Sequence, residues 1–145
     1  MQPTHATSDM NMAEDRIGKA RLKGAYAWRT FLDQGSRIAF GSDFPVELAN
    51  AFHGLHAAVT RQSSENKPKM GWIPEEKVSV EDALRGFTLD AAYAAFQEDK
   101  LGTLEVGKRA DFIFIDRDIF TGPASDIRDT QVVETWINGQ QVFAK

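Results

Sequence analysis

The stretch RIAFGSDFPVE, residues 37–47, decides how the chain is read. Ile38, Ala39 and Phe40 form a short apolar run that stops at Gly41, and Ser42 and Asp43 follow before Phe44 and Pro45 close the segment. A short apolar run bounded by turn residues is the pattern of a strand buried on both faces. Upstream, AYAWRTFLDQ (25–34) places Ala25, Trp28, Phe31 and Leu32 on one helical face, with Gly35 as its C-terminal stop. A helix, a short loop and a doubly buried strand make an α/β unit and predict a parallel sheet. Ligands bind such sheets at the carboxyl ends of the strands, and Asp43 occupies one of those ends. There it could hold a metal, take a proton from a metal-bound water, or cap the loop. On spacing alone capping is the commoner use, because Asp after Ser is frequent in turns.

Downstream, NAFHGLHAAVTRQ (50–62) again has helical spacing, with Phe52, Leu55 and Val59 as its core face. SSENKPKMGWIPEEK (63–77) is polar, carries two prolines and a glycine, and predicts a long surface loop. Ser79 is a suitable N-cap for a helix running to about Phe87, with Asp82 three residues on as a weaker capping box. Thr88 and Asp90 read as a second helix start, through Ala95 and Phe96. Beyond Lys100 the texture becomes β-rich: Phe112–Ile115 is an apolar strand, and Val132–Ile137 and Gln141–Phe143 flank Asn138-Gly139, the strongest short hairpin signal. The expected division is therefore 1–100 as an α/β part and 101–145 as a β part.

Composition narrows the chemistry. Hydrophobic residues make up 42% of the 145 and charged residues 26%, close to soluble globular averages, so one domain with a real core is expected. A net charge of −4 and the absence of a basic stripe argue against nucleic acid. No apolar run is long enough for a membrane helix, and a small molecule is the expected partner. With no cysteine there is no thiolate nucleophile and no Cys-ligated zinc, which fits a cytoplasmic setting. Any metal must be held by carboxylates and by His5, His53 and His56. The last two are three apart on a predicted helix and lack the HExxH spacing, so they read as structural or solvent-facing. A lone histidine so near a terminus also reads as ordinary. Ser42 has no G-x-S-x-G elbow around it, and the serine-hydrolase reading is weak.

Six segments, taken in order, change those odds: MQPTHATSDM (1–10), AYAWRTFLDQGSRIAFGSDFPVE (25–47), AAVTRQ (57–62), GWIPEEKVSVEDALRGFTLDAAYA (71–94), GTLEVGKRADFIFID (102–116) and TWINGQQVF (135–143). Together they resemble the C-terminal portion of the metal-dependent amidohydrolase superfamily, and in particular amidohydrolase family 3, with its formamide deformylase-like and D-aminoacylase-like enzymes. The resemblance implies a (β/α)₈ TIM barrel with a small β-sandwich built from both chain ends. Residues 1–100 would be the C-terminal part of the barrel and 101–145 the sandwich segment. It further implies that His5 is a metal ligand at a strand end. Asp43, at the end of the eighth strand, would contact the metal and carry a proton from the attacking hydroxide to the leaving amine.

The departures are equally specific. The family's HxH motif and its remaining ligands are not among these residues, and two side chains fall short of a three-ligand catalytic zinc site. Asn11 and Met12 stand where Pro and Trp are expected. The chain is therefore expected to be a fragment of a hydrolase acting on non-peptide C–N bonds (amides or N-formyl and N-acyl groups). Its divalent metal is expected to be zinc, and the isolated chain to be inactive. The alternative is a non-catalytic module that covers its open sheet edges by forming a homo-oligomer.

Overall fold

A computed structural model describes all residues 1–145. Six short helices come first: α1 (Pro3–Asp9), α2 (Ala13–Ile17), α3 (Trp28–Asp33), α4 (Ala51–Thr60), α5 (Val80–Phe87) and α6 (Leu89–Ala94). Three strands follow, β1 (Phe112–Ile115), β2 (Val132–Ile137) and β3 (Gln140–Ala144). They form an antiparallel sheet in the order β1-β2-β3, turning at Asn138-Gly139 as the hairpin signal requires. Short 3₁₀ helices occupy Lys19–Gly24, Pro74–Glu76 and Ala124–Asp129. No helix is long and apolar enough to cross a membrane.

The helix starts are chemically explicit. Asn50 accepts a hydrogen bond from the Phe52 N–H at the head of α4, and Ser79 accepts one from the Asp82 N–H at the head of α5. Phe52 and Leu55 are buried along α4. In α3 the buried line runs through Trp28 to the partly buried Leu32, whereas Phe31, expected on the core face, is 43% exposed. The helix has only six residues, and one four-residue step is all it buries.

The segment 37–41 differs from expectation more instructively. It is extended, with Ile38 and Phe40 buried, yet it belongs to no sheet. Strands are defined by their partners, and here the partner is one residue. The N-terminal amine of Met1 donates to the Ala39 carbonyl, and the Gly41 N–H donates to the Met1 carbonyl at 3.2 Å. Those two bonds are the pattern a parallel neighbour makes, realised once. The expected parallel sheet and partial barrel are therefore not formed here; a single parallel-type contact stands in their place. His5, expected just past a strand remnant, follows this contact directly but lies inside α1.

What fixes the segment is packing against α5. Phe40 N–H donates to the Gly86 carbonyl at 2.9 Å, and its ring lies on the bare Cα of Gly86, 6.0 Å from the Trp28 ring and 5.7 Å from Phe87. Gly54 gives Phe87 the same close approach on α4. With Leu55, Ala58, Val78, Ala83, Ile119 and Ile127 these residues form the core. Gly86→Ala is expected to destabilise the chain by about 1–3 kcal/mol, because the new methyl enters the Phe40 ring. Helix propensity alone would favour Ala by about 1 kcal/mol. Urea denaturation decides the sign, and a raised midpoint would show that the ring moves freely.

Candidate active site

Pro3 opens α1, and the first turn brings His5 inward, with its side chain 24% exposed and Nε2 fully buried. That nitrogen has no hydrogen-bond partner. A buried ring nitrogen without a partner is costly, and its lone pair or proton remains available to a further group. Asp43 stands opposite, its Oδ2 3.8 Å from His5 Nε2. The chain reaches it by leaving the extended segment at Gly41 and turning sharply. Asp43 has a left-handed φ of 57°, and its carbonyl accepts from the Val46 N–H at 2.8 Å. Asp and Asn tolerate this conformation better than other residues with a Cβ. Ser42 serves the same turn, its Oγ accepting from the Phe44 N–H at 3.3 Å. The Phe44–Pro45 bond is cis.

At 3.8 Å His5 and Asp43 are not hydrogen bonded, but two bonds of about 2.1 Å to one ion span up to about 4.2 Å, so both can reach a shared metal. A nitrogen and a carboxylate oxygen are donors that suit zinc. The set stops there, since no group of three or more histidines and carboxylates lies together in this chain. The pair could fill two positions of a coordination shell but does not complete one.

One neighbour escapes sequence reasoning. Asp9, one turn after His5 on α1, accepts a hydrogen bond from the Tyr26 hydroxyl. Burial and this carboxylate push the Tyr26 phenol up to about 12. Seventeen residues separate the two, and no motif links them. His53 and His56 lie elsewhere, in a polar cavity whose lining includes neither His5 nor Asp43.

Comparison with known proteins places the chain in a family. The profile described as "Amidohydrolase family" matches residues 1–143, and the chain belongs to that family. It is 32% identical over its whole length to the putative amidohydrolase YtcJ of Bacillus subtilis, covering 27% of that protein. It is 32% identical over 77% of its length to the N-substituted formamide deformylase of Arthrobacter pascens, covering 20% of that enzyme. The structure of an uncharacterized metal-dependent hydrolase from Pyrococcus furiosus superposes with a TM-score of 0.69 at 34% identity, covering 83% of this chain and 23% of that one. The chain thus spans about a quarter of the length of the relatives it matches.

Two outcomes follow from the local chemistry. Asp43→Asn keeps a residue that accepts the left-handed turn and is expected to change stability by less than about 0.5 kcal/mol, whereas Asp43→Ala is expected to lose about 1 kcal/mol. Thermal melts of the two variants test this, and equal melts would mean that the turn is not strained. In an alkaline titration read by phenolate absorbance, Tyr26 is expected to ionise near 12. The raised value means that the protonated, hydrogen-bonded phenol contributes stability below its ordinary pKa near 10, which is lost as pH climbs through the folded value. Tyr26→Phe should remove the late step.

Proposed function

We propose that the chain supplies the proton-handling side of a hydrolytic site for non-peptide C–N bonds, with amides and N-formyl or N-acyl compounds as substrates. The observation that carries the reading is the unpartnered His5 Nε2 facing the Asp43 carboxylate across 3.8 Å. Family membership and the deformylase relative support the bond type. In this reading His5 offers Nε2 and Asp43 one carboxylate oxygen to a divalent metal, which we take to be zinc because the donors are imidazole and carboxylate. A metal bound there would supply a water acidified to near neutrality. Asp43 then acts as the proton carrier, taking a proton from the attacking water and delivering it to the leaving nitrogen. His5 is carried on the first turn of α1. The lack of cysteine supports a cytoplasmic setting.

With only two ligands in place, the 145-residue chain by itself is expected to show no turnover of an N-formyl or N-acyl amine and to bind zinc weakly. Metal analysis after dialysis against zinc, with Asp43→Asn alongside, checks both points. Turnover by the chain alone that disappears in Asp43→Asn would overturn the two-ligand account, and zinc retention unaffected by the variant would overturn the assignment of Asp43.

A second reading has its own observation. The outer edge of β1 pairs with nothing, and Ile113, Phe114, Val142 and Phe143 of the sheet are each about half exposed. Exposed strand edges beside apolar surface are templates for association, so self-association into a homo-oligomer is a coherent role for the isolated chain. Light scattering tests it: a monomer that melts cooperatively would exclude the oligomer.

A further inference from the structure

Between α1, α4 and the turn Ala124–Asp129 lies a cavity of about 260 Å³, room for far more than one water at about 30 Å³. Only Leu48 and Ala57 among its twelve lining residues are apolar, so an apolar ligand would gain little there. We propose that this cavity binds a small oxyanion, a phosphate either free or as a monoester, held by Arg128 with His53 and His56.

Arg128 is the anchor. Its side chain is only 22% exposed, and the nearest carboxylate, Asp129, stands 3.9 Å from Nε, beyond hydrogen-bond reach. A half-enclosed guanidinium carries up to five donors in a planar fork, the arrangement that matches phosphate oxygens. His53 and His56 come from one face of α4, a turn apart, and look onto the same space. His56 Nε2 lies 2.8 Å from Asn66 Oδ1, an acceptor, which spends the ring proton on Asn66, so His56 offers the cavity a donor only when its second ring nitrogen is protonated. Ser63 and Ser64 add hydroxyl donors at one rim. Thr4 adds another at the floor, where its Oγ1 is buried without a partner. The cavity therefore presents donors in excess of acceptors. The one carboxylate in the lining, Glu47, already accepts from the Ser8 hydroxyl at 2.7 Å.

Burial holds both histidines below their ordinary pKa; at His56 the hydrogen bond to Asn66 opposes it, and at both Arg128 pushes further down against a smaller upward effect of Asp129. Glu47 lines the same cavity. An anion seated among them reverses the balance: it favours the imidazolium forms, so its binding takes up protons and strengthens as pH falls. Nothing in this site involves His5 or Asp43, and the hydrolytic reading can fail without touching it.

The test titrates the 145-residue chain with sulfate, which keeps its double charge across the range, at about pH 6 and about pH 8. It follows the His53 and His56 ring protons by NMR. Saturable shifts are expected, with binding several-fold tighter at the lower pH. Arg128→Gln should weaken binding about tenfold or more, and Arg128→Lys should restore part of it, since lysine keeps the charge and loses the fork. Inorganic phosphate and glycerol phosphate then separate the sources: a tighter monoester identifies a phosphorylated metabolite, and equal affinity identifies the free ion. If Arg128→Gln does not fold, His53→Gln takes its place with the same expected direction. The proposal is overturned if the folded chain shows no saturable shift at sulfate on the order of 10 mM, if the variant binds as tightly as the parent chain, or if affinity is the same at both pH values.

Discussion

The contact on which the rest of this structure depends is the Phe40 ring against the naked backbone of Gly86. Segment 37–41 has almost no ladder to hold it, since Met1 alone offers sheet-like hydrogen bonds. A chain in that position stays extended only if its side chains are captured. Phe40 is captured three ways, by the Gly86 surface and by the Trp28 and Phe87 rings at edge-on and tilted angles. Its own N–H is spent on the Gly86 carbonyl, so backbone and side chain are fixed by one residue of α5. Asp43 lies three residues further on, within one turn of that anchor. Its distance from His5 is therefore set by how α5 packs and by how α1 follows Met1, rather than by any direct bond between the two.

Arg61 plays the corresponding role on the other side of Trp28. It is fully buried, with its guanidinium 4.4 Å from the Trp28 ring and 5.3 Å from Trp72, and it donates to the carbonyls of Tyr26 and Trp72. Burial lowers its pKa to about 10, with Glu76 and Glu75 pulling the other way, so the charge persists at neutral pH. A buried charge without a directly bonded carboxylate is expensive unless dipoles and aromatic faces replace water, and both are supplied here. The result ties the loop 63–77 to Tyr26. Because the Tyr26 hydroxyl reaches Asp9 on α1, the helix that carries His5 is connected through Arg61 to a loop more than fifty residues away.

Much of the local structure was legible from the sequence because its causes are local. Ser79 caps its helix with its own side chain, and Asn138-Gly139 makes its hairpin without outside help. What escaped has causes spread over the chain. The run Ile38–Phe40 reads as a strand, but a strand needs neighbours, and periodicity carries no information about whether they are present. Arg61 looks like a surface residue after a helix, and nothing near it announces two tryptophans and two carbonyls waiting at distances of 11 and 35 residues. Tyr26 and Asp9 are similarly silent. His5 and Asp43 occupy an intermediate position: composition and spacing favoured bland roles for both, and only the motifs HATSD and GSDFP singled them out. The structure puts the two side chains within reach of one ion. Phe31, read as core, faces solvent because so short a helix has one buried step to give.

The environment of Asp43 limits what the proposed two-ligand pair could do by itself. Its side chain is 54% exposed, and a carboxylate that open to water is too well solvated for its electrostatic influence to be large. A proton carrier works best where water is displaced by fixed dipoles, so that its basicity is set by the protein. The loop that carries Asp43 has the means to be covered. Phe44, Val46 and Leu48, the residues just after it, are each about two-thirds exposed, an apolar rim alternating with Pro45 and Glu47. Packing a surface onto that rim would gain apolar burial and would, by the same movement, strip water from the carboxylate beside the already buried His5 nitrogen. If the proposed ligand set were completed by that surface, desolvation of Asp43 and completion of the set would be one event.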